Sequence, residues 1–315
     1  MATTTRREFI NGSSALFAGV TVAGIVSQSG CSSGAAAQPV SSASASNSPS
    51  TQSLTVQPTV TNYQPRCWLD AADLVTAGLA DGANVLQWAD RTDNSYSLQF
   101  QPTIPDIKGV WAHTPPTLKL NAVNGLPAVS FSAPHSQTLI WTPGGSLDQS
   151  LDGFSAVFVI RPDTSIIYDA SFLFITHTPE QASRLAIVFN PTQGGVRAIV
   201  ETNGVEYNVP VLTAQTQGIS FGAANAPVWG ILSLRVWYGQ NPNATLQVNS
   251  VSLNIPLPGA VTPTSPSYID VLCSDSEINH LTCQIAEMSF YPGFLADAQL
   301  STIMTALQQK YALSA

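Results

Sequence analysis

Charge is scarce in this chain. Only 10% of its residues are Asp, Glu, Lys or Arg, and Lys and Arg together number 11. Beyond Arg7 the basic residues are never clustered, so the electrostatic footprint that nucleic acid requires is missing. Histidine is scarcer still. His113, His135, His177 and His280 are scattered through polar or loop contexts, and none has the His-x-x-His or His-Glu-x-x-His spacing of a zinc site. There is no Gly-x-Ser-x-Gly elbow for a serine nucleophile. There is also no Glu-x-Asp-x-x-Glu strand that would hold two carboxylates over one groove, at the roughly 5 to 9 Å that glycoside hydrolysis needs. Asp270, Asp275 and Glu277 straddle an expected strand end and loop. Glu287 stands alone on an expected last strand, read as an edge or strand-end carboxylate with a local hydrogen bond. These absences leave no catalytic constellation, so the chain is expected not to be an enzyme.

Turn formers are abundant, with 22 prolines and 21 glycines, and the net charge is -8. That composition suits an all-β, turn-rich, extracytoplasmic protein, and mild acidity keeps such a protein soluble.

The N-terminus reads as an address. Arg6, Arg7 and Phe9, followed by Ile10, match the twin-arginine export pattern, and a moderately apolar segment, Ala15 to Val26, follows. That segment is too short and glycine-rich for a membrane span. Two cleavage readings stand. Ser29-Gly30-Cys31 resembles a lipoprotein site that would acylate Cys31, although Gln28 occupies a position normally aliphatic. Ala35-Ala36-Ala37 suits ordinary signal peptidase. The expected organisation is therefore a signal peptide over 1–37, a Ser/Ala/Thr/Pro-rich linker over 38–62, and one folded domain over 63–315. The linker lacks the apolar surface to offset chain entropy. The protein is expected in the periplasm, tethered at the cell surface, or secreted.

Within the domain, alternation and turn chemistry predict strands at Cys67 to Asp70, Val85 to Ala89, Tyr96 to Phe100, Phe172 to Thr176, Leu185 to Phe189, Val196 to Glu201 and Val205 to Val209. Leu74 to Leu79 reads as a loop or short helical turn, and Pro102 to Pro116 as a Pro-rich loop. Phe154 to Arg161 is nearly all apolar and predicts a strand covered on both faces. Trp229 to Tyr238 predicts another inner strand. Asn124-Gly125 and Asn203-Gly204 are hairpin turns by their chemistry. Leu300, Ile303, Met304, Leu307 and Tyr311 recur at helical spacing and predict a packing helix over Leu295 to Leu313. Asp297 and Lys310 lie at the ends that suit the helix dipole.

Three stretches carry a resemblance. They are Cys67-Trp-Leu-Asp-Ala-Ala-Asp73 with Trp88-Ala-Asp-Arg-Thr-Asp-Asn94, then Asn124-Gly-Leu-Pro127, then Ile285-Ala-Glu-Met-Ser-Phe-Tyr291. In this order they resemble the bacterial LamG-like, concanavalin A-like jelly-roll domains. Thr92-Asp93 stands where that family has Ser-Gly, and Ser250 stands where it has a turn glycine. The resemblance implies a two-sheet antiparallel jelly-roll sandwich with one C-terminal packing helix, in which the closing strand returns beside the first. It also implies a fold that hosts lectins, hydrolases, adhesins and spacers alike.

Candidate sites follow. The wider superfamily often holds calcium at the sandwich rim, which makes Asp70, Asp90, Asp93 and Asn94 a candidate oxygen set. Against it stands the reading that Asp and Asn build tight turns on their own backbone. Sugar recognition would use exposed aromatics, with Trp111, Trp141, Tyr207 and Trp229 as candidates, and core packing as the other reading. Once Cys31 leaves or is lipidated, Cys67, Cys273 and Cys283 remain. Cys273–Cys283 is the first disulfide candidate. Cys67–Cys283 is second, from the implied neighbourhood of first and last strands, and buried thiols are the third reading. The expected function is an exported, non-catalytic binding module for carbohydrate or a cell-envelope partner. A structural or adhesin-type domain that contacts protein is the alternative, and a glycoside hydrolase is third.

Overall fold

The computed structural model describes residues 64–314 apart from 93–95, 101–102, 107–108, 133–136, 138, 142–152, 164–170, 178–183, 191–194, 203–204, 209–220, 224–225, 258–267 and 272–280. In chain order the strands are β1 (Cys67–Asp70), β2 (Gln87–Trp88), β3 (Leu98–Gln99), β4 (Thr103–Asp106), β5 (Gly109–Ala112), β6 (Thr117–Val123), β7 (Leu126–Phe131), β8 (Leu139–Trp141), β9 (Gly153–Pro162) and β10 (Ser171–His177). They continue as β11 (Arg184–Asn190), β12 (Gly195–Thr202), β13 (Val205–Asn208), β14 (Gly222–Ala223), β15 (Ala226–Pro227), β16 (Gly230–Trp237), β17 (Asn243–Val248), β18 (Val251–Pro256), β19 (Tyr268–Val271) and β20 (Cys283–Tyr291). Helix α1 (Ala71–Thr76) follows β1, and α2 (Asp297–Tyr311) follows β20. Among the described residues, no helix is long and apolar enough to cross a membrane.

The strands form two antiparallel sheets packed as a sandwich. One runs β18-β17-β16-β9-β20-β7-β6, with β1 also paired to β20. The other runs β13-β12-β11-β10-β19-β8-β3-β2. The near-continuous apolar run at Phe154 explains why β9 is central. Phe154, Ala156, Phe158 and Ile160 point into the core between the sheets, while Val157 and Val159 point the other way into a second core. The period-2 geometry of a strand makes that division automatic.

The second core is closed by α2. Its Leu300, Ile303, Met304, Leu307 and Tyr311 pack with Val157, Val159, Ile231 and Trp68. A helix of this length is marginal alone in water. Each buried Leu, Ile or Met contributes about 1.5–3 kcal/mol, so the docked face carries it. The first sheet is thus covered on both faces, by the second sheet and by the helix.

Two described turns and one bulge set the register. Val123 pairs with Leu126, and Asn124 and Gly125 between them have φ of 47° and 86°. Both are positive, as a type I′ hairpin demands. Val248 pairs with Val251, and Asn249 supplies the positive φ of 50°, so this hairpin forms with Ser250 in place of glycine. Thr202 pairs with Val205, while Asn203 and Gly204 lie outside the described residues. A bulge in β20 between Ile285 and Glu287 inserts Ala286 and reverses the strand's facing. Ile285 and Met288 both face the core between the sheets, and Ala286 faces the helix.

Several expectations need correction. The Pro102 to Pro116 loop contains the β4/β5 ribbon, in which Pro105 is tolerated because a two-stranded ribbon leaves outward N–H positions unused. The loop or short helical turn expected over Leu74 to Leu79 is a short helix that begins earlier, at Ala71, because Asp70 accepts from Ala72 N at 2.9 Å and caps it. Strand β6 alternates too weakly to announce itself in the sequence.

Candidate functional site

Asp70 and Arg91 of the first resembling motif and Glu287 of the third meet beneath α2. Asp70 and Glu287 are register partners across β1 and β20. The β20 bulge turns Glu287 toward the helix, where Lys310 Nζ lies 2.5 Å from Glu287 Oε2 and 2.5 Å from Asp70 Oδ2. Tyr311 Oη donates to Glu287 Oε2 at 2.8 Å, and Trp68 Nε1 donates to Glu287 Oε1 at 2.7 Å. Arg91 Nη1 is 2.8 Å from Asp70 Oδ2. The same guanidinium forks onto both oxygens of Asp73 and lies 4.7 Å from the Trp68 ring centroid.

This cluster is closed. The Asp70 and Glu287 side chains are each 3% exposed. Burial pushes the Glu287 carboxyl up, opposed by Lys310 and helped by Asp70. Burial works to lower Lys310, but Glu287 and Asp70 outweigh it and hold the ammonium above its ordinary value. Burial also pushes the Tyr311 phenol well up. Each carboxylate is engaged by internal donors, and neither offers a face to a substrate. Glu287 is therefore not the edge carboxylate that the sequence suggests. It sits in mid-strand, and only the bulge, invisible to period-2 counting, brings it here.

Of the calcium set the structure describes Asp70, engaged by Lys310 and Arg91, and Asp90. Asp90 accepts from Trp68 N at 2.8 Å, from Thr92 N at 3.0 Å and from Tyr96 N at 3.2 Å. That is the turn-building alternative, an Asx turn that also ties β1 to the next loop. Asp93 and Asn94 lie outside the described residues. Among the described residues, no group of three or more His, Cys, Asp or Glu could hold a metal ion.

Cys67 and Cys283 are free and buried, and burial pushes both thiols up. A Cys67–Cys283 bridge is excluded by register. Cys67 faces Phe290, seven residues along β20 from Cys283, or about 23 Å of strand. Cys273 lies outside the described residues, as do Arg6, Arg7, Phe9 and Cys31.

The four candidate aromatics do not converge. Trp141 in β8 and Tyr207 in β13 lie five strands apart in the second sheet, about 24 Å. Trp111 belongs to the separate β4/β5 ribbon. The side chains of these three lie outside the described residues. Trp229 is half-buried against the helix core, and its indole N–H donates to Ala122 O at 3.1 Å, so it is a packing residue. His113, expected at the surface, is buried.

An aromatic rim that the sequence did not single out lies where β16 ends and α2 begins. Trp237 and Phe294 are both half-buried, with ring centroids 5.8 Å apart at 72°. Arg235 sits 4.9 Å from the Phe294 centroid and donates to Leu295 O and to Asp297 Oδ1, each at 2.7 Å. Ser155 Oγ donates to Gly293 O at 2.7 Å and accepts from Leu295 N at 3.0 Å, which pins the approach to the helix. Trp237 Nε1 donates to Gln240 O at 3.0 Å. Two glycines clear the space. A Cβ at Gly153 would lie 2.4 Å from Val236 O and 2.9 Å from Phe294 Cβ, and one at Gly239 would lie 2.3 Å from the Trp237 ring. Trp237 reads in sequence as one more inner residue of an apolar run. Its partner Phe294 is remote in sequence, so no local pattern could pair them.

No protein-family model and no curated protein matches the chain. Solved structures do. The receptor binding domain of botulinum neurotoxin mosaic serotype C/D matches with a TM-score of 0.52 at 11% identity, over 78% of this chain and 51% of that one. The binding domain of botulinum neurotoxin DC in complex with rat synaptotagmin II gives 0.47 at 9%, over 78% and 52%. The botulinum neurotoxin serotype D ligand binding domain in complex with N-acetylneuraminic acid gives 0.46 at 10%, over 78% and 51%. This chain thus spans about half the length of the structures it resembles, and at such identity the likeness is one of fold, an all-β sandwich.

Proposed function

We propose that this chain is an exported, non-catalytic, LamG-like binding module that engages carbohydrate on a cell envelope. One observation carries the reading. The half-exposed Trp237 and Phe294 stand at the sandwich rim beside the exposed Asp297, Gln240 and Asn241. An apolar ring face next to carboxylate and amide groups is the combination that sugar recognition uses. The likeness in fold to a neurotoxin receptor binding domain is compatible with a scaffold that binds at its rim. The adjacency of β1 and β20 agrees with what the LamG-like resemblance implies.

The hydrolase alternative loses its best carboxylates to internal ion pairs, since Asp70 and Glu287 share Lys310. A protein-contacting role is the second reading. It draws on Leu86, Val75 and Val228, which are large, apolar and exposed. Export by the twin-arginine route, with or without a lipid at Cys31, belongs to the proposal and follows from the N-terminal residues alone.

A glycan array probed with the full chain tests the reading. Saturable binding to one class of glycan is the expected result. Silence across neutral and acidic glycans, with capture by a protein surface instead, would overturn it in favour of the adhesin-type domain.

A further inference from the structure

Resting on the carbohydrate reading, we infer that the rim formed by Trp237, Phe294, Asp297, Gln240, Asn241 and Asn243 is a site for an uncharged pyranose, stacked by its C–H face on the Trp237 indole.

The platform is fixed before any ligand arrives. The indole is held by its N–H bond to Gln240 O, by a T-shaped contact with Phe294, and against the backbone at Gly239. Two glycines make this possible, because any side chain at Gly153 would meet Phe294 and any at Gly239 would meet the indole. A locked aromatic loses little freedom on binding, so the stacking energy is largely retained.

The polar groups select the ligand's charge. Asp297 is 92% exposed, and Arg235 holds its Oδ1, which leaves Oδ2 to accept from a hydroxyl. Asn243 Nδ2 donates to Asn241 O at 3.3 Å, and its own carbonyl oxygen supplies a second acceptor. The Gln240 and Asn241 amides add groups that both donate and accept. The nearby cation, Arg235, is 4% exposed and already bound to Leu295 O and Asp297. It stiffens the site and offers an anion no accessible charge. A carboxylated or sulfated sugar would meet the Asp297 carboxylate first, on a protein whose net charge is -8. A neutral ring with one apolar face and several hydroxyl donors fits both halves of the rim.

The two halves come from different elements. Trp237 closes β16, Gln240 and Asn241 lie in the connection and Asn243 opens β17, while Phe294 precedes α2 and Asp297 is its first residue. The site therefore exists only when the helix is docked.

The test is a titration of the full chain with methyl β-D-glucopyranoside, methyl α-D-mannopyranoside, methyl β-D-galactopyranoside and, as the anionic probe, methyl β-D-glucuronide. Tryptophan fluorescence and saturation-transfer NMR are the readouts. One neutral glycoside is expected to bind, with little change between low and high salt, because no ion pair forms. Trp237→Ala and Asp297→Asn are each expected to weaken it about tenfold. Asp297→Asn is the milder variant, since its side chain is 92% exposed and the amide oxygen can still accept from Arg235, and urea unfolding of the variant checks that the fold is kept. Thr302→Ala, on the exposed face of α2, should bind as wild type. A preference for the glucuronide, or salt-sensitive binding, overturns the uncharged ligand. A positive glycan array with both rim variants binding normally overturns this site alone. A silent array with no glycoside binding overturns the functional reading, and the site with it.

Discussion

Asp70 and Glu287 stand opposite each other in the β1/β20 register and share one ammonium, that of Lys310, 2.5 Å from an oxygen of each. The first strand, the last strand and the C-terminal helix are thereby joined through three side chains. Removing the cation leaves two buried carboxylates facing each other, with Arg91 alone left to neutralise Asp70.

Lys310→Met should therefore destabilise the fold by about 3 kcal/mol, as loss of one partner of a buried pair does. Urea unfolding at unchanged slope is the measurement. A loss below about 1 kcal/mol would reduce the cluster to an ordinary surface ion pair.

The pH dependence follows from the same groups. Lys310 is held above its ordinary value of 10.5, and Tyr311 lies well above its ordinary value of 10.0. Between those ordinary values and the raised folded ones, the folded state binds more protons than the unfolded, so stability falls as pH rises. The stabilisation is complete below about pH 10 and declines above it. Thermal unfolding from pH 8 to 12 should show the decline in wild type and a shallower one in Lys310→Met. Parallel curves would separate Lys310 from the effect.

Asn124 links a hairpin tip to the helix end. Its Nδ2 donates to Tyr311 O at 2.6 Å and Ala312 O at 3.2 Å, and Ala312 adopts a φ of 48° beyond the last turn. Asn124→Gly keeps the positive φ and loses only this cap, for an expected cost of about 1 kcal/mol. Asn124→Ala loses both and should cost about 2 kcal/mol. Hydrogen exchange at residues 311–313 would rise in both variants. Equal stability of the two would mean that the turn carries no strain.

Gly153→Ala forces a methyl to within 2.4 Å of a backbone oxygen and should cost about 2 kcal/mol or more. Gly239→Ala presses on the Trp237 ring instead, a side chain that is able to move. Its expected signature is a changed tryptophan emission with a smaller stability loss. Unchanged emission would place the indole elsewhere.

Both described thiols are buried, and burial raises them. Iodoacetamide should leave Cys67 and Cys283 unmodified in the native protein and label both in denaturant. Peptide mapping after native labelling reads this directly, and alkylation at the native rate of a free thiol would contradict the buried geometry.

Much of the sandwich was readable because its signals are local. The apolar run at Phe154 and the Asn124-Gly125 pair each announce a strand or turn through neighbours in sequence. The helix was readable from Leu300, Ile303, Met304, Leu307 and Tyr311. What escaped depends on geometry between distant residues. The bulge at Ala286 inverts the facing of Glu287, and no alternation rule foresees one extra residue. Trp237 and Phe294 meet only because β16 and the start of α2 share an end of the sheet. The Pro-rich stretch hid β4 and β5, since Pro105 argues against a strand everywhere except in a ribbon.

Strand β20 lies between β9 on one side and β7 and β1 on the other, yet in sequence it is the last strand of the sandwich. Synthesis therefore produces the flanks of the first sheet long before its centre. Until residues through Tyr291 have been made, β9 and β7 have no strand to join them, and the edges they present to β20 stay unpaired. Contacts of such long sequence separation form slowly, and exposed strand edges attract other chains meanwhile. The position of one strand thus keeps the centre of the first sheet unassembled until the chain has been made through Tyr291.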